Sequence, residues 1–100
     1  MIKVVTDHRV EKFVNSLNDR DRAKCFEYIE LFEKHGFSMG SQYLKKVRGS
    51  VWELRPGRVR LFLFVKSEKQ VIIHAVIKSS QKIRQQDWQV IQARTKEYSI

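Results

Sequence analysis

The sequence predicts a single α+β domain over residues 1–100, in which two N-terminal helices pack on a small, mainly antiparallel sheet and a further helix ends the chain. The length of 100 residues is that of one domain. Apolar residues recur at helical spacing near both ends of the chain. Between Ser50 and Lys78 they recur at the period of two that is typical of strands. The predicted order of elements is therefore β-α-α-β-β-β-α.

The composition excludes several classes of protein. Hydrophobic residues make up 42% and charged residues 31%, which is a globular balance rather than a disordered one. No apolar run approaches the roughly 18–20 residues that a membrane span needs, and no signal peptide is visible. The single cysteine, Cys25, cannot form an internal disulfide, and with few histidines nearby it argues against a zinc site. We expect a cytoplasmic protein with no metal, no cofactor and no membrane partner.

The first two elements are a short strand and a helix. Residues 2–6 are rich in β-branched side chains and predict the strand. Thr6 or Asp7 can cap the helix that follows. The apolar stripe of this helix consists of Val10, Phe13, Val14 and Leu17.

A second helix completes an αα-hairpin that carries no evident chemistry. Asp19 can cap this helix, and Gly36 follows it as a C-terminal glycine does. Cys25 lies beside the apolar stripe and is more typical of a small core residue than of a nucleophile. The buried face is expected to comprise Ala23, Phe26, Ile29 and Phe32.

Three strands are predicted after an irregular segment at residues 37–47. They cover residues 51–55, 58–66 and 71–78. The apolar side chains that must meet the N-terminal helices are Trp52, Leu54, Val59, Leu61 and Leu63. A last helix is predicted from Ser80 on the stripe Ile83, Trp88, Ile91, Thr95 and Tyr98.

The positive charge lies in the second half of the chain. Residues 1–40 hold seven basic and seven acidic side chains, whereas residues 41–100 hold thirteen basic and four acidic ones, a net charge of +9. Residues 44–84 alone hold eleven basic side chains against Glu53 and Glu68. Such a block attracts polyanions and favours salt-dependent association with nucleic acid or an acidic partner. The alternative is a solvated basic surface that aids solubility.

Several arginines are expected to share one face of the sheet. A Pro-Gly turn at residues 56–57 predicts a hairpin with a two-residue loop. In that register Arg55 lies opposite Arg58. Two residues further along each strand, Glu53 lies opposite Arg60. This face is expected to be open or partly covered, and like charges held together on it favour the binding of an anion.

The next strand adds a histidine and a lysine to the expected face. The alternation places His74 and Lys78 on one side together with Ile72. Phe62 and Phe64 interleave with the cations, and phosphate-binding cations beside rings that stack bases are typical of single-stranded RNA recognition. The alternative is a charged outer face in which Glu53 is bonded to Arg60. In that case the phenylalanines pack under the last helix and the histidine is a hydrogen-bonded core residue.

Other catalytic motifs are absent from the sequence. It has no glycine-rich phosphate loop, no carboxylate pair and no Ser/His/Asp arrangement. A two-metal nuclease is disfavoured because the basic block contains two acidic residues, Glu53 and Glu68.

The chain resembles the RelE/ParE superfamily of toxins, and is most similar to its phage-derived HigB-like branch. The resemblance covers roughly residues 44–98, and the two N-terminal helices match in order and length. The segments that carry it are Leu44-Lys45-Lys46-Val47-Arg48-Gly49, Val51-Trp52-Glu53-Leu54-Arg55, Val59-Arg60-Leu61-Phe62 and His74-Ala75-Val76-Ile77-Lys78-Ser79-Ser80-Gln81-Lys82.

This resemblance implies a RelE-like fold and a type II toxin that cleaves mRNA, commonly on the translating ribosome, and is neutralised by a helix-turn-helix antitoxin. Metal-independent cleavage needs cations for the phosphate, which Arg55 and Arg60 can supply. His74 is the candidate acid or base, since histidine is the residue type that titrates near neutral pH. Lys78 and Tyr98 are further catalytic candidates. The predicted RNA-binding residues are Lys45, Lys46, Arg48, Arg58, Lys82 and Arg84.

Two alternatives of different classes stay open at this point. One is a ParE-like gyrase poison, which binds a protein and need not cleave anything. The other is a non-catalytic, nucleic-acid-binding module that uses the basic sheet. The grouping of Arg55, Arg60 and His74 on one face favours the endoribonuclease.

Overall fold

The computed structural model describes residues 2–80 and 82–99, and within them it confirms the predicted α+β class. No helix in the described part of the chain has the length and apolar character needed to cross a membrane. The elements, in chain order, are β1 (Val4–Thr6), α1 (His8–Asn15), α2 (Asp19–His35), a short 3₁₀ turn (Gly36–Ser38), β2 (Leu44–Arg48), β3 (Val51–Leu54), β4 (Val59–Lys66), β5 (Lys69–Ile77) and α3 (Gln85–Tyr98).

The sheet has five strands in the order β1-β5-β4-β3-β2 and is mixed. The pairs formed by β2, β3, β4 and β5 are antiparallel, whereas β1 runs parallel to β5. The predicted order of elements lacked one strand, because residues 37–47 were expected to be irregular. In β2 only Leu44 is buried, and Lys45, Lys46 and Arg48 are exposed. An edge strand of this kind carries little apolar alternation, so its pairing with β3 is what defines it.

The first helix follows its predicted pattern. Asp7 is the N-cap residue, and its side chain accepts a hydrogen bond of 2.8 Å from the backbone N–H of Arg9. Val10, Val14 and Leu17 are buried against the sheet, and Phe13 packs beside them. The apolar stripe therefore faces the core, as the spacing predicts.

The second helix buries part of the predicted face, since Phe32 is buried and Ile29 packs against the core as expected. Cys25, Tyr28 and Phe32 lie in the core, whereas Phe26 is 49% exposed and Ala23 is exposed. Apolar residues occur on more than one side of this helix, so contact with the sheet decides which side is buried.

The ends of α2 are set by two small local motifs. The N-cap is Asn18 rather than Asp19, and its side chain accepts a hydrogen bond of 2.8 Å from the backbone N–H of Asp21. At the other end Gly36 has a φ of +58°, the left-handed conformation that ends a helix without a Cβ penalty.

The two faces of the sheet contact different helices. Leu54, Leu61 and Leu63 pack under α1 and α2, as the alternation predicts for this face. The opposite face is covered by α3, where Phe62 is 0% exposed and Phe64 is 8% exposed. Neither ring has a face open to stack on an RNA base, so the expectation that they stack bases is wrong.

The β3–β4 hairpin has a different register from the predicted one. Glu53 pairs with Phe62 rather than with Arg60, so the register is displaced by two residues. The connecting turn is closed by a hydrogen bond of 3.0 Å from the N–H of Val59 to the carbonyl of Pro56. Because side chains alternate with a period of two, an even displacement leaves the paired residues of β3 and β4 on their predicted faces.

A β-bulge between β4 and β5 changes the predicted face of one residue. Phe62 pairs with His74 and Leu63 pairs with Ile72, which leaves Ile73 as the extra residue. Ile72 therefore packs in the core under the N-terminal helices, and Ile73 packs under α3. The expectation that Ile72 and His74 share a face is wrong, because the extra residue reverses the alternation between them.

Candidate functional site

A cleft opens where the ends of β3, β4 and β5 meet the segment that leads into α3. We call it the basic cleft. Its empty volume is about 420 Å³, counted out to the open mouth. Cations that are distant in sequence come together here, so the cleft is suited to hold an anion. Its charged lining side chains are Glu53, Arg55, Arg60, Lys78, Lys82, Arg84 and Asp87.

Arg60 forms the floor of the basic cleft. It is 8% exposed, and its Nη1 donates hydrogen bonds of 2.8 Å to the carbonyls of Gly57 and Val59. Burial, together with the nearby charge of Arg55, lowers the pKa of the Arg60 guanidinium. A bound anion would offset both effects by stabilising the charged guanidinium, so the site favours a negatively charged ligand.

The guanidinium of Arg55 has a hydrogen-bond donor without a partner among the described residues. Its Nε is buried, lies 3.4 Å from Oε1 of Glu53 and has no hydrogen-bond partner there. Its Nη1 donates a long hydrogen bond of 3.4 Å to the carbonyl of Ser41. The sequence left open a pairing of Glu53 with Arg60, but the ion pair forms with Arg55. A guanidinium with spare donors next to a second guanidinium is suited to a phosphate.

The corner after β5 supplies the other cations. The backbone N–H of Lys78 donates a hydrogen bond of 2.7 Å to the carbonyl of Arg58 and fixes the start of the corner. The hydroxyl of Ser80 donates to the carbonyl of Lys82 at 3.0 Å. Arg84 is the N-cap residue of α3. Gln81, which belongs to the same corner, lies outside the described residues.

His74 lies behind the lining of the basic cleft. Its ring stacks on Phe62, with centroids 5.9 Å apart and planes at 22°. Its Nε2 lies 3.0 Å from Oδ1 of Asp87, at hydrogen-bond distance. Among the described residues Asp87 lines the cleft and His74 does not. The predicted catalytic histidine therefore reaches the cleft through a carboxylate.

Asp87 is the site residue that sequence reasoning missed. It lies four residues from both Ile83 and Ile91, so it occupies a position on the buried stripe of α3. Asp87 is 8% exposed, and a carboxylate is rarely buried to this extent without a partner. The sequence signal that could have identified Asp87 as a site residue was therefore its position on an apolar stripe.

Arg58 lies apart from the basic cleft. Its Nη2 forms an ion pair of 2.7 Å with Oδ2 of Asp21 on α2, and each partner stabilises the charged form of the other. Their hydrogen bond raises the pKa of Arg58 and lowers that of Asp21. Arg58 follows Gly57, whose φ is +60°, in the turn that precedes β4. The expectation that Arg58 shares the face of Arg55 is wrong, because the turn directs it to the helical side.

The three basic residues of β2 lie along the exposed edge of the sheet. Lys45 pairs in register with Glu53 and Lys46 pairs with Trp52, so the two lysines belong to opposite faces. The guanidinium of Arg48 lies 4.1 Å from the ring centroid of Trp88 on α3. These cations can extend a binding surface beyond the cleft.

Tyr98 also lies outside the basic cleft. Its hydroxyl donates a hydrogen bond of 2.6 Å to Oδ2 of Asp7, which raises the pKa of the tyrosine. Arg9 binds the same carboxylate at 2.8 Å. The structure thus places this predicted catalytic residue in a contact between α3 and the start of α1.

The described residues contain no ready-made metal centre. Within residues 2–80 and 82–99, no three His, Cys, Asp or Glu side chains lie close enough together to hold a metal ion. The polar chemistry of the basic cleft comes from its guanidinium, ammonium and carboxylate groups.

The chain matches a protein-family model over most of its length. The model described as phage-derived protein Gp49-like (DUF891) matches residues 12–96. The matched region includes every residue that lines the basic cleft and excludes Asp7 and Tyr98. No curated protein matches the chain.

Proposed function

The chain belongs to the phage-derived Gp49-like family, which is associated with RelE-like toxins, and from this membership we propose that it is a type II toxin that cleaves mRNA. In this proposal it is a metal-independent endoribonuclease that acts on translating ribosomes in the cytoplasm and thereby inhibits translation. The observation that carries the proposal is the basic cleft, which Arg55 and Arg60 both line and where Nε of Arg55 is buried without a hydrogen-bond partner among the described residues.

The chemistry of such a reaction matches the side chains of the cleft. Metal-independent RNA cleavage uses the 2′-hydroxyl as nucleophile, and its transition state carries extra negative charge on the phosphate oxygens. Arg55 and Arg60 are suited to bind that phosphate, because a guanidinium offers several donors in a fixed plane. Lys78 and Lys82 line the same cleft, where an ammonium group can hold a flanking phosphate or protonate the leaving 5′-oxygen.

The surface around the cleft favours a long RNA rather than a single nucleotide. Lys45 and Arg48 lie on the exposed edge strand β2, where Lys45 pairs with Glu53 of the cleft and Arg48 lies against Trp88 of α3. Contacts of this type bind the phosphate backbone with little dependence on sequence. Because Phe62 and Phe64 are buried, base selection in this proposal depends on groups other than these rings.

The proposal is tested by mapping mRNA ends after incubation of the purified protein with translating ribosomes. We expect new ends with the native protein, and their loss in Arg55→Ala and Arg60→Ala. Arg20→Ala is the matched control, because Arg20 is an exposed residue of α2 and lies outside the cleft. A parallel supercoiling assay identifies the gyrase-poison alternative. Gyrase inhibition without mRNA cleavage would replace the proposed activity.

A further inference from the structure

Asp87 is held in the basic cleft by two different partners. Its Oδ1 lies 3.0 Å from Nε2 of His74. Its Oδ2 lies 3.6 Å from Nε of Arg84, which is longer than a hydrogen bond. One carboxylate oxygen is therefore engaged by a ring nitrogen, and the other keeps lone pairs for a further partner.

His74 is well placed to orient this carboxylate and poorly placed to contact a ligand. Its side chain is 14% exposed, and its ring stacks on the fully buried Phe62. When Asp87 is ionised it can only accept, so the hydrogen bond requires the proton of His74 on Nε2. The stacked ring thus presents an N–H in a fixed direction to Oδ1.

The other carboxylate of the cleft has a different environment. Glu53 lies 3.4 Å from the guanidinium of Arg55, next to the second guanidinium of Arg60. The contact between Glu53 and Arg55 is longer than a hydrogen bond, since Nε of Arg55 has no hydrogen-bond partner among the described residues. Asp87 is oriented by its hydrogen bond with His74, so it is the carboxylate of the cleft that is held in a fixed direction toward a ligand.

We propose that Asp87 is the general base of the reaction and that His74 is its positioning residue, an inference that rests on the proposed function. Oδ2 of Asp87 takes the proton of the RNA 2′-hydroxyl, and the 2′-oxygen forms a bond to phosphorus. The bond between phosphorus and the 5′-oxygen breaks, and that oxygen takes a proton from the ammonium group of Lys78 or Lys82. The products are a 2′,3′-cyclic phosphate and a 5′-hydroxyl, and solvent returns the proton from Asp87 to the lysine.

The first test measures cleavage of a short synthetic mRNA, presented free and on ribosomes, by Asp87→Asn. Removing a general base lowers kcat by about 100- to 10,000-fold. Binding of the same mRNA, measured by fluorescence anisotropy, should be retained, because Asn preserves the shape of the side chain. Glu11→Gln is the matched control, since Glu11 is an exposed carboxylate on the helical side of the sheet.

A second substrate distinguishes a general-base role of Asp87 from a general-acid role. In a 5′-phosphorothiolate linkage the leaving sulfur needs no proton, so loss of a general acid no longer slows cleavage. The defect of Asp87→Asn should persist on this substrate if Asp87 is the base. A defect that disappears would assign Asp87 as the acid and overturn the proposal.

The positioning role of His74 is tested by two replacements. His74→Gln keeps an N–H donor for Asp87 and should retain most of kcat, whereas His74→Leu should lower it by about 10- to 100-fold. When Asp87→Asn is already present, adding His74→Leu should lower kcat little further, because both changes affect the same proton transfer. Equal losses for His74→Gln and His74→Leu, or fully additive losses, would contradict this role.

The results distinguish failure of this inference from failure of the proposed function. If the native protein does not cleave RNA in either form, the proposed function fails. If the native protein cleaves and folded Asp87→Asn cleaves at the native rate, the endoribonuclease stands and Asp87 is not its base. Circular dichroism and retained mRNA binding show whether each variant is folded.

Discussion

The hydroxyl of Tyr98 donates a hydrogen bond of 2.6 Å to Oδ2 of Asp7, and this bond joins the last turn of α3 to the N-cap of α1. Asp7 is 3% exposed and also accepts hydrogen bonds from the guanidinium of Arg9. Arg9 in turn forms an ion pair of 2.7 Å with Glu97. Two helices on opposite faces of the sheet are thus held together by one buried carboxylate.

Tyr98→Phe should lower the free energy of unfolding by about 1–2 kcal/mol, because the carboxylate of Asp7 loses one hydrogen bond and keeps those from Arg9. Chemical denaturation measures this loss. Cleavage of mRNA at a temperature well below unfolding should remain at the native level. A stable Tyr98→Phe variant that no longer cleaves would instead give Tyr98 the catalytic role that the family resemblance implies.

Stability should fall at acid pH in a way that depends on Asp7. The hydrogen bond from Arg9, followed by that from Tyr98, holds the pKa of Asp7 well below its usual range despite the opposing effect of burial. The contribution of ionised Asp7 to the free energy of unfolding is fully present above the ordinary aspartate pKa of about 3.9. It is lost as the pH falls toward the lower pKa that Asp7 has in the folded protein.

Chemical denaturation at pH values from about 7 to 2 measures this effect. Asp7→Asn should reduce stability at neutral pH and flatten the decline in acid. Glu11→Gln, which alters an exposed carboxylate on the same helix, should leave the slope unchanged. An unchanged acid slope in Asp7→Asn would show that other carboxylates account for the decline.

Affinity for mRNA should decrease steeply with salt. The net charge of +9 within residues 44–84 displaces counterions from the phosphate backbone when RNA binds. Removing one phosphate-binding cation therefore reduces the steepness of log K against log salt concentration by about 1. Lys45→Ala should show this reduction in a titration between about 50 and 200 mM salt. Lys34→Ala, in the neutral half of the chain, is the control. Equal slopes for the two variants would place the phosphate-binding residues elsewhere.

Cys25 should resist thiol reagents in the folded protein. It is fully buried on α2, and burial raises the pKa of its thiol to about 11. The thiolate is the reactive form, so labelling at a pH of about 8 should be slow until the chain unfolds. The labelling rate with and without denaturant measures the difference. Rapid labelling under native conditions would show that α2 opens readily from the sheet.

If the proposed toxin function holds, an antitoxin should cover the basic cleft with carboxylates or with a helix. A concentrated positive field favours an acidic partner, and the same contact blocks RNA. Charge reversal by Lys82→Glu should weaken the antitoxin complex, measured by titration calorimetry, whereas Lys34→Glu should leave it unchanged. An antitoxin bound solely to α1 and α2, with Arg55 and Arg60 open, would indicate that bulk excludes the toxin from the ribosome.

Local sequence patterns were sufficient to predict much of the fold. Side chains alternate along β3 and β4, so Trp52 and Leu54 had to lie on the face opposite Glu53 and Arg55. The predicted register of the hairpin was wrong by two residues. The assignment of these residues to the two faces is nevertheless correct, because an even displacement preserves the faces. The grouping of Arg55 and Arg60 was therefore predictable before the turn geometry was known.

The sequence by itself determined the α+β class, the two faces of the hairpin and the concentration of basic charge, because each depends on residues close together in the chain. Only the tertiary structure decided that α3 covers Phe62, that the bulge at Ile73 places His74 under α3, and that Asp87 meets His74. These contacts join residues through the packing of a helix on a sheet, and local spacing does not specify that packing. The cleft and the contact between Asp87 and His74 therefore depend on long-range packing.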